Sequence, residues 1–281
     1  MEEIIDGKAI AQKIETRLKK QIKKLKLHPK LVVVFVGGDS PSATYIKRKC
    51  EAAERVGIKF ILKKFPANIS KTNLINKIKQ IQKTEKPNGL IVQLPLPEPL
   101  YTPEVLNAVD PKIDVDCLTD FNQGKLLMNK AFVEPPTPGA VMAILKELKI
   151  SPKGKTITVL GTGQLVGKPL VTMLNNAGAT VIACNKETKN IKQKCLAAEI
   201  IVTAVGKKNL LKAEMIKKGT VIIDTGIVFV KHQMFGDVDF VNVKKKASWI
   251  TPVPGGVGPI TVALLLANTV KCAKLQNSEP Q

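Results

Sequence analysis

Aromatic residues make up only 4% of the 281-residue chain, with one tryptophan and two tyrosines. A protein that grips single-stranded nucleic acid by stacking needs more rings than this. The two histidines, His28 and His232, lie far apart beside loop-like sequence, so both are expected on the surface. The five cysteines, Cys50, Cys117, Cys184, Cys195 and Cys272, include no CxxC pair. Zinc ligation is therefore not expected, and the odd count of thiols fits a reducing compartment, the cytoplasm. No apolar run approaches the ~20 residues of a membrane span. The opening MEEIIDGKAI has neither the basic leader nor the apolar stretch of a signal peptide.

Arginine is scarce as well. The formal net charge is +21, yet only three of the 44 basic residues are arginine: Arg17, Arg48 and Arg55. Arginine is the side chain that reads bases and phosphates with a two-pronged fork, and lysine acts as a point charge. Lysines spread over nearly every polar helix face argue against nucleic-acid binding as the main role. They fit instead a diffuse field that attracts small polyanions. An apolar fraction of 44%, with 19 glycines and 18 prolines spread along the chain, is globular composition.

The chain is long enough for two domains. Apolar residues Ile10, Ile14, Leu18, Ile22 and Leu25 recur at helical spacing and predict a helix over 7–27. The unbroken run Leu31–Val36, closed by Gly37-Gly38, predicts a buried strand. A helix over 40–56, with Ile46, Cys50 and Ala53 as its buried stripe, comes next. A strand over 58–63, a helix over 71–82 and a strand over 89–93 follow. Such alternation predicts a parallel sheet covered by helices. Residues 110–138 are rich in Pro, Asp and Asn and read as an irregular connection lining a cleft. Helical pattern resumes at 139–148. A second alternating series then runs through a strand at 156–160, a helix at 165–177 and a strand at 180–183. A helix at 189–197 and strands at 199–204 and 220–224 continue it. The chain closes with a helix over 260–273, after which the last seven residues are expected to fray. The fold class is thus α/β, with two domains, each a mostly parallel sheet flanked by helices, the second Rossmann-like.

Five constellations carry chemistry. Gly161-Thr162-Gly163-Gln164-Leu165-Val166-Gly167 follows one strand and opens a helix, the context of a dinucleotide loop. Its glycines let backbone approach a pyrophosphate, and the helix end supplies N–H donors. Its third glycine comes one residue later than in the usual spacing. The next strand ends at Asn185-Lys186 and offers a cation, not the usual ribose-binding acid, which suits the 2′-phosphate of NADP. Glu187 keeps NAD open. Tyr45 and Lys49 are one helical turn apart, so a phenol and an amine share a helix face. Partial burial would lower the lysine pKa towards acid–base function. Taken alone, that pair reads more simply as a half-exposed helix face. Gln93, in Val92-Gln93-Leu94-Pro95-Leu96-Pro97, sits where a parallel strand ends and ligands bind. Asp114-Val115-Asp116 lies in the irregular connection. Thr251–Pro259 is a Gly/Pro run too apolar for a solvated linker.

Together these strings resemble the bifunctional methylenetetrahydrofolate dehydrogenase/methenyltetrahydrofolate cyclohydrolase family. The resemblance runs nearly full length in motif order: YxxxK at Tyr45 and Lys49, VQLPLP at Val92–Pro97, DVDG at Asp114–Asp116 with Cys117 in the glycine place, and a PxTPxG-like stretch at Pro135–Gly139. GxxxxVGxP at Gly161–Pro169 and TPVPGGVGPxT at Thr251–Thr261 complete it. It implies oxidation of 5,10-methylenetetrahydrofolate with NAD(P)+, then hydrolysis of the methenyl product to 10-formyltetrahydrofolate. It implies Lys49 as the central cyclohydrolase residue, Tyr45 stacked on the folate, Gln93 tuning Lys49 and Asp116 gripping the pterin, with Gly256 and Pro259 beside the substrate. Cofactor contacts are implied at Gly161, Thr162, Gly163, Gln164, Val166, Gly167, Asn185, Lys186, Gly226 and Ile227. A homodimer and a folate substrate, possibly polyglutamylated, are further implications, with no metal. The expected domains are 1–138 plus 260–281, binding folate, and 139–259, binding the dinucleotide. The chain departs from the family at Thr162-Gly163, where many members have Arg-Ser, and at Asn185-Lys186, where many have His-Ser. It departs again at Cys117 and at Pro136, the latter standing where cysteine is usual. Rival readings are another two-domain dehydrogenase, of shikimate or amino-acid type, and a basic nucleic-acid-binding protein.

Overall fold

The computed structural model describes residues 3–38, 40–231 and 233–278. His28 is exposed as expected, and His232 lies outside the described residues. The chain is α/β. In order it forms β1 (Glu3–Ile4), α1 (Gly7–Lys24), β2 (Lys30–Val36), α2 (Ser40–Val56), β3 (Lys59–Phe65), α3 (Lys71–Glu85) and β4 (Gly89–Val92). Next come α4 (Pro103–Leu106), α5 (Asp120–Leu127), α6 (Pro136–Glu147), β5 (Thr156–Leu160), α7 (Gly167–Asn176), β6 (Thr180–Cys184), α8 (Ile191–Ala197) and β7 (Ile200–Thr203). The last are β8 (Val221–Asp224), β9 (Val228–Val230), β10 (Gln233–Phe235), α9 (Phe240–Val243), β11 (Trp249–Ile250) and α10 (Val257–Ser278).

Two compact units emerge. Gln12–Pro136 and the segment from Val262 onward form the first, and Thr137–Thr261 with the segment ending at Ala11 form the second. In the first unit, β3, β2 and β4 make a parallel sheet in that order. The unbroken apolar run of β2 serves both faces of that sheet, as a parallel strand covered on both sides requires. Leu31, Val33 and Phe35 pack with Leu18 and Ile22 of α1, Ile46, Ala53 and Val56 of α2, and Leu265, Leu266 and Val270 of α10. Val32, Val34 and Val36 pack with Leu74, Ile78 and Ile81 of α3 and with Val105. The buried stripe of α2 is Ile46, Ala52, Ala53 and Val56. Cys50, expected in that stripe, is only half-buried, and its thiol points to Glu54 at 3.5 Å.

The second unit holds a six-stranded parallel sheet in the order β1-β11-β8-β7-β5-β6. Its N-terminal edge corrects the expectation that residues 1–11 belong with the first sheet. Glu3 and Ile4 pair with Trp249 and Ile250, and two-residue strands carry no periodicity from which to foresee this. A small antiparallel hairpin, β9–β10, pairs Phe229 with Met234 and was equally unforeseen.

Two other expectations are revised. The stretch 110–138 is not wholly irregular, because α5 lies within it. Thr119 caps that helix by accepting from the Asn122 amide. The last helix runs from Val257 to Ser278, so residues 275–278, expected to fray, are helical, and 279–281 lie outside the described residues. Over Val257–Asn277 its mean hydropathy is 1.2, enough by length and composition to cross a membrane, whereas no such run was expected. Its position explains its composition. It is a core helix, with Leu265, Leu266 and Val270 almost fully buried, and its polar Asn268 is satisfied internally.

Candidate active site

The chemistry of the first unit starts on α2. Lys49 lies one turn beyond Tyr45 and is half-buried. Its Nζ donates to Gln93 Oε1 at 2.9 Å. Gln93 follows the last residue of β4 and is itself buried. Its backbone N–H donates to Val34 O at 2.8 Å, and its side-chain amide donates to Leu94 O at 2.6 Å. That second bond leaves the side-chain oxygen to face the lysine. Burial pushes the Lys49 amine below the usual lysine range, opposed by the nearby Asp116 carboxylate. Burial likewise pushes the Asp116 carboxyl up, with Lys49 opposing and Asp114 reinforcing. Burial thus disfavours the charged form of both groups while their mutual attraction opposes it, and such a coupled amine–carboxyl pair is suited to proton transfer. Tyr45 is half-buried, which raises its phenol, and the Arg48 guanidinium lies 5.9 Å from its ring centre.

Of the two acids in Asp114-Val115-Asp116, Asp114 is the builder. Its Oδ2 accepts from Thr119 N at 2.9 Å, Thr119 Oγ1 at 2.8 Å and Asn122 Nδ2 at 2.9 Å, and its Oδ1 accepts from Leu118 N at 3.1 Å. The backbone of Leu90 in β4 donates to Ile113 O at 2.8 Å, which seats this turn beside the strand that ends at Gln93. Asn268 of α10 donates to both Val115 O and Glu134 O at 2.8 Å. Sequence reasoning missed Asp114, Thr119, Asn122 and Asn268 as organisers, because each acts across the fold. Cys117 adopts a left-handed backbone at φ 57°, which is why glycine suits the position, and its side chain is fully buried.

In the second unit, Gly161 ends β5 at φ 100°, and a Cβ there would lie 2.3 Å from Ala204 O. A Cβ on Gly167 would lie 1.9 Å from Gly161 O, so the loop closes tightly onto its own helix. Gly163 and Gln164 are exposed, Thr162 and Val166 are half-buried, and a Cβ on Gly163 would meet nothing. The helix starts at Gly167, two residues later than expected, so the extra residue in the glycine spacing is taken up in a longer loop. The tight glycines, the open one and the helix end together fit a dinucleotide pyrophosphate. Asn185 is spent on a local turn, accepting from Glu187 N at 3.0 Å. The Lys186 side chain is 91% exposed, with Nζ 3.8 Å from Glu187 Oε1. Gly226 is buried at the end of β8, and Ile227 is 39% exposed. Gly256 is buried, with the Gly7 backbone close upon it, and Pro259 lies in the first turn of α10.

Two family models match the chain. One describes the catalytic domain of tetrahydrofolate dehydrogenase/cyclohydrolase over residues 5–116, and the other its NAD(P)-binding domain over residues 135–277. The bifunctional protein FolD of Nautilia profundicola is 46% identical over 275 residues, covering 96% of this chain and 97% of the relative. The crystal structure of the Campylobacter jejuni bifunctional FolD enzyme is 39% identical at a TM-score of 0.93, covering 98% of this chain and 99% of that one. The Trypanosoma brucei enzyme, solved with NADP and an inhibitor, is 33% identical at a TM-score of 0.94, covering 99% of both chains. Matches to both domains, and identity of this level over nearly the whole length, leave no room for the rival readings: the chain belongs to the bifunctional tetrahydrofolate dehydrogenase/cyclohydrolase family.

Proposed function

We propose that Lys49, tuned by Gln93 and faced by Asp116, carries the hydrolysis of 5,10-methenyltetrahydrofolate in this enzyme. The observation behind this reading is the 2.9 Å bond from Lys49 Nζ to Gln93 Oε1 in a place where burial lowers the amine pKa. The methenyl substrate is a cation, and its charge disfavours protonated Lys49 further. The neutral amine then takes a proton as water attacks the one-carbon unit, and ring opening gives 10-formyltetrahydrofolate. Asp116 holds the pterin, Tyr45 stacks on it, and Gly256 and Pro259 border the substrate. For the dehydrogenase step, NAD(P)+ when bound would supply the hydride acceptor for oxidation of 5,10-methylenetetrahydrofolate. The cofactor would be held by Gly161–Gly167, by Asn185 and Lys186, and by Gly226 and Ile227.

NADP is favoured over NAD, because Lys186 is the cation placed after β6. The folate is assigned to the unit formed by Gln12–Pro136 and the segment from Val262 onward, and the dinucleotide to Thr137–Thr261 with the segment ending at Ala11. A homodimer in the cytoplasm, with no membrane or nucleic-acid partner, completes the reading. The test is an absorbance assay of both reactions, with NAD+ and NADP+ in turn, on the wild type and Lys49→Gln. The variant should lose methenyl hydrolysis and keep substantial dehydrogenase activity. Undiminished hydrolysis by a folded variant removes Lys49 from the mechanism.

A further inference from the structure

Beyond the glycine loop, the carboxyl end of the second sheet holds two buried carboxylates that the reaction itself does not use. Asp224 is the last residue of β8 and Asp237 follows β10, and they are 3% and 0% exposed. Among the described residues, neither has a cation paired with it. Both are satisfied by hydrogen bonds that run almost entirely to loop backbone.

Asp237 Oδ2 accepts from Val205 N and its Oδ1 from Lys207 N, each at 2.7 Å. These amides belong to the loop that leaves β7. Asp224 Oδ1 accepts from Thr203 Oγ1 at 2.8 Å and from Gly226 N at 2.9 Å, and its Oδ2 accepts from Val238 N at 3.0 Å. The two acids also interlock through glycines. A Cβ on Gly226 would lie 2.1 Å from the Asp237 carboxyl carbon, and a Cβ on Gly236 would lie 2.0 Å from Asp224 Oδ2. Each carboxylate therefore packs directly against a glycine beside the other acid.

The loops so held border the dinucleotide loop. Ala204 O is the atom that a Cβ on Gly161 would strike at 2.3 Å, and Ile227 O is the nearest atom, 3.3 Å away, to a Cβ on Gly206. All lie beyond the carboxyl ends of adjacent parallel strands, where such sheets bind ligands. We propose that Asp224 and Asp237 are positioning residues for the dinucleotide: they set the backbone of Val205–Lys207 and of Gly226–Ile227 against the Gly161 turn. The proposal rests on the reading that this turn holds the cofactor.

The hydrogen bonding explains why a carboxylate is needed at each place. Both oxygens of Asp237 must accept, and so must both of Asp224. An asparagine has a single acceptor oxygen, so its NH2 would face an N–H at either position. The loss should appear in cofactor binding and leave the Lys49 chemistry of the first unit alone.

The experiment measures NADP+ affinity of full-length Asp237→Asn by calorimetry, together with KM for each substrate and methenyl hydrolysis without dinucleotide. Expected is an NADP+ Kd raised ten- to a hundredfold, on the order of one charge-assisted hydrogen bond lost. KM for methylenetetrahydrofolate and the rate of hydrolysis should stay within about twofold. Unchanged NADP+ affinity in a folded variant overturns the proposal, as does parallel loss of both activities, which marks a merely structural role. Should the variant fail to fold, hydrogen exchange of the wild type decides. NADP+ should slow exchange at Val205, Lys207 and Gly226, and unaltered exchange there overturns the proposal. Gly163→Glu is the control for the underlying reading. If it leaves NADP+ affinity intact, the cofactor does not sit at this loop. If it abolishes binding while Asp237→Asn does not, only the positioning role fails.

Discussion

Asp114 and Asp116 stand two residues apart and do opposite work. Asp114 accepts four hydrogen bonds from its own turn and from α5, whereas Asp116 is left facing Lys49. Asp116→Ala should weaken folate binding ten- to a hundredfold, the value of one or two charge-assisted bonds to the pterin, with little change in melting temperature. Asp114→Ala should instead lower the melting temperature by several degrees, since it orphans buried donors. A thermal melt beside a folate titration separates the two, and the reverse pattern would exchange the roles. Lys49 also sets a pH dependence. An amine with a lowered pKa is neutral above that pKa and charged below it, so methenyl hydrolysis should fall on the acid side as Lys49 takes up a proton. Gln93→Ala should move that limb, which a pH–rate profile reads directly. The Tyr45, Lys49 and Gln93 grouping was legible in the sequence, because helical spacing and a strand end are local signals. The work of Asp114 was not, because Thr119 and Asn122 become its partners only once α5 has formed. Cys117 shows the same limit. Its left-handed backbone costs about 1–2 kcal/mol and its burial returns a similar amount, so Cys117→Gly should shift stability by less than about 1 kcal/mol.

Among the elements, the loop from Gly161 to α7 separates two demands made of glycine. Gly167 is needed for packing, because a Cβ would meet Gly161 O at 1.9 Å. Gly163 has open space around it, so a side chain there costs the fold little. Gly163→Glu should therefore preserve the melting temperature while its charge repels the cofactor pyrophosphate. Gly167→Ala should lower both stability and cofactor affinity. Equal melting temperatures for the two variants would refute this division. Lys186→Ala should reduce NADP+ use by roughly tenfold in kcat/KM and leave NAD+ use nearly intact, the reach of one exposed lysine–phosphate contact. That preference should shrink as salt rises, because Lys186 is exposed and already shared with Glu187. Long elements were legible: the bounds of α2 and β5 match the apolar pattern to the residue. The two-residue strands and α5 were not. β1 and β11 have two residues each, and α5 sits in a segment whose prolines and glycine hide its periodicity.

Across the whole molecule, the charge of +21 is carried almost wholly by lysine, and Lys49 is set apart by burial that pushes its amine below the usual lysine range. A diffuse positive field should draw in polyanionic substrates without reading their shape. The KM of a polyglutamylated folate should therefore rise between low and high salt, while that of the monoglutamate changes little. The Debye length falls from about 10 Å at 0.1 M to about 3 Å at 1 M, which screens such long-range attraction. Equal salt dependence for the two substrates would assign the charge no part in capture. Composition made the charge legible, and its division between substrate capture and plain solubility is what this measurement decides.

The late position of α10 has a consequence for how the protein is born. Leu265, Leu266 and Val270 complete the core around β2, a strand synthesised more than two hundred residues earlier. On the ribosome, that β2 face is covered by α1 and α2 but must wait for its α10 side while the whole Thr137–Thr261 segment is made, a period in which exposed apolar surface invites aggregation or chaperone capture. Nascent chains stalled at Thr261 should thus show a protease-resistant nucleotide unit and a protease-sensitive β2 region, with protection arriving only when α10 emerges.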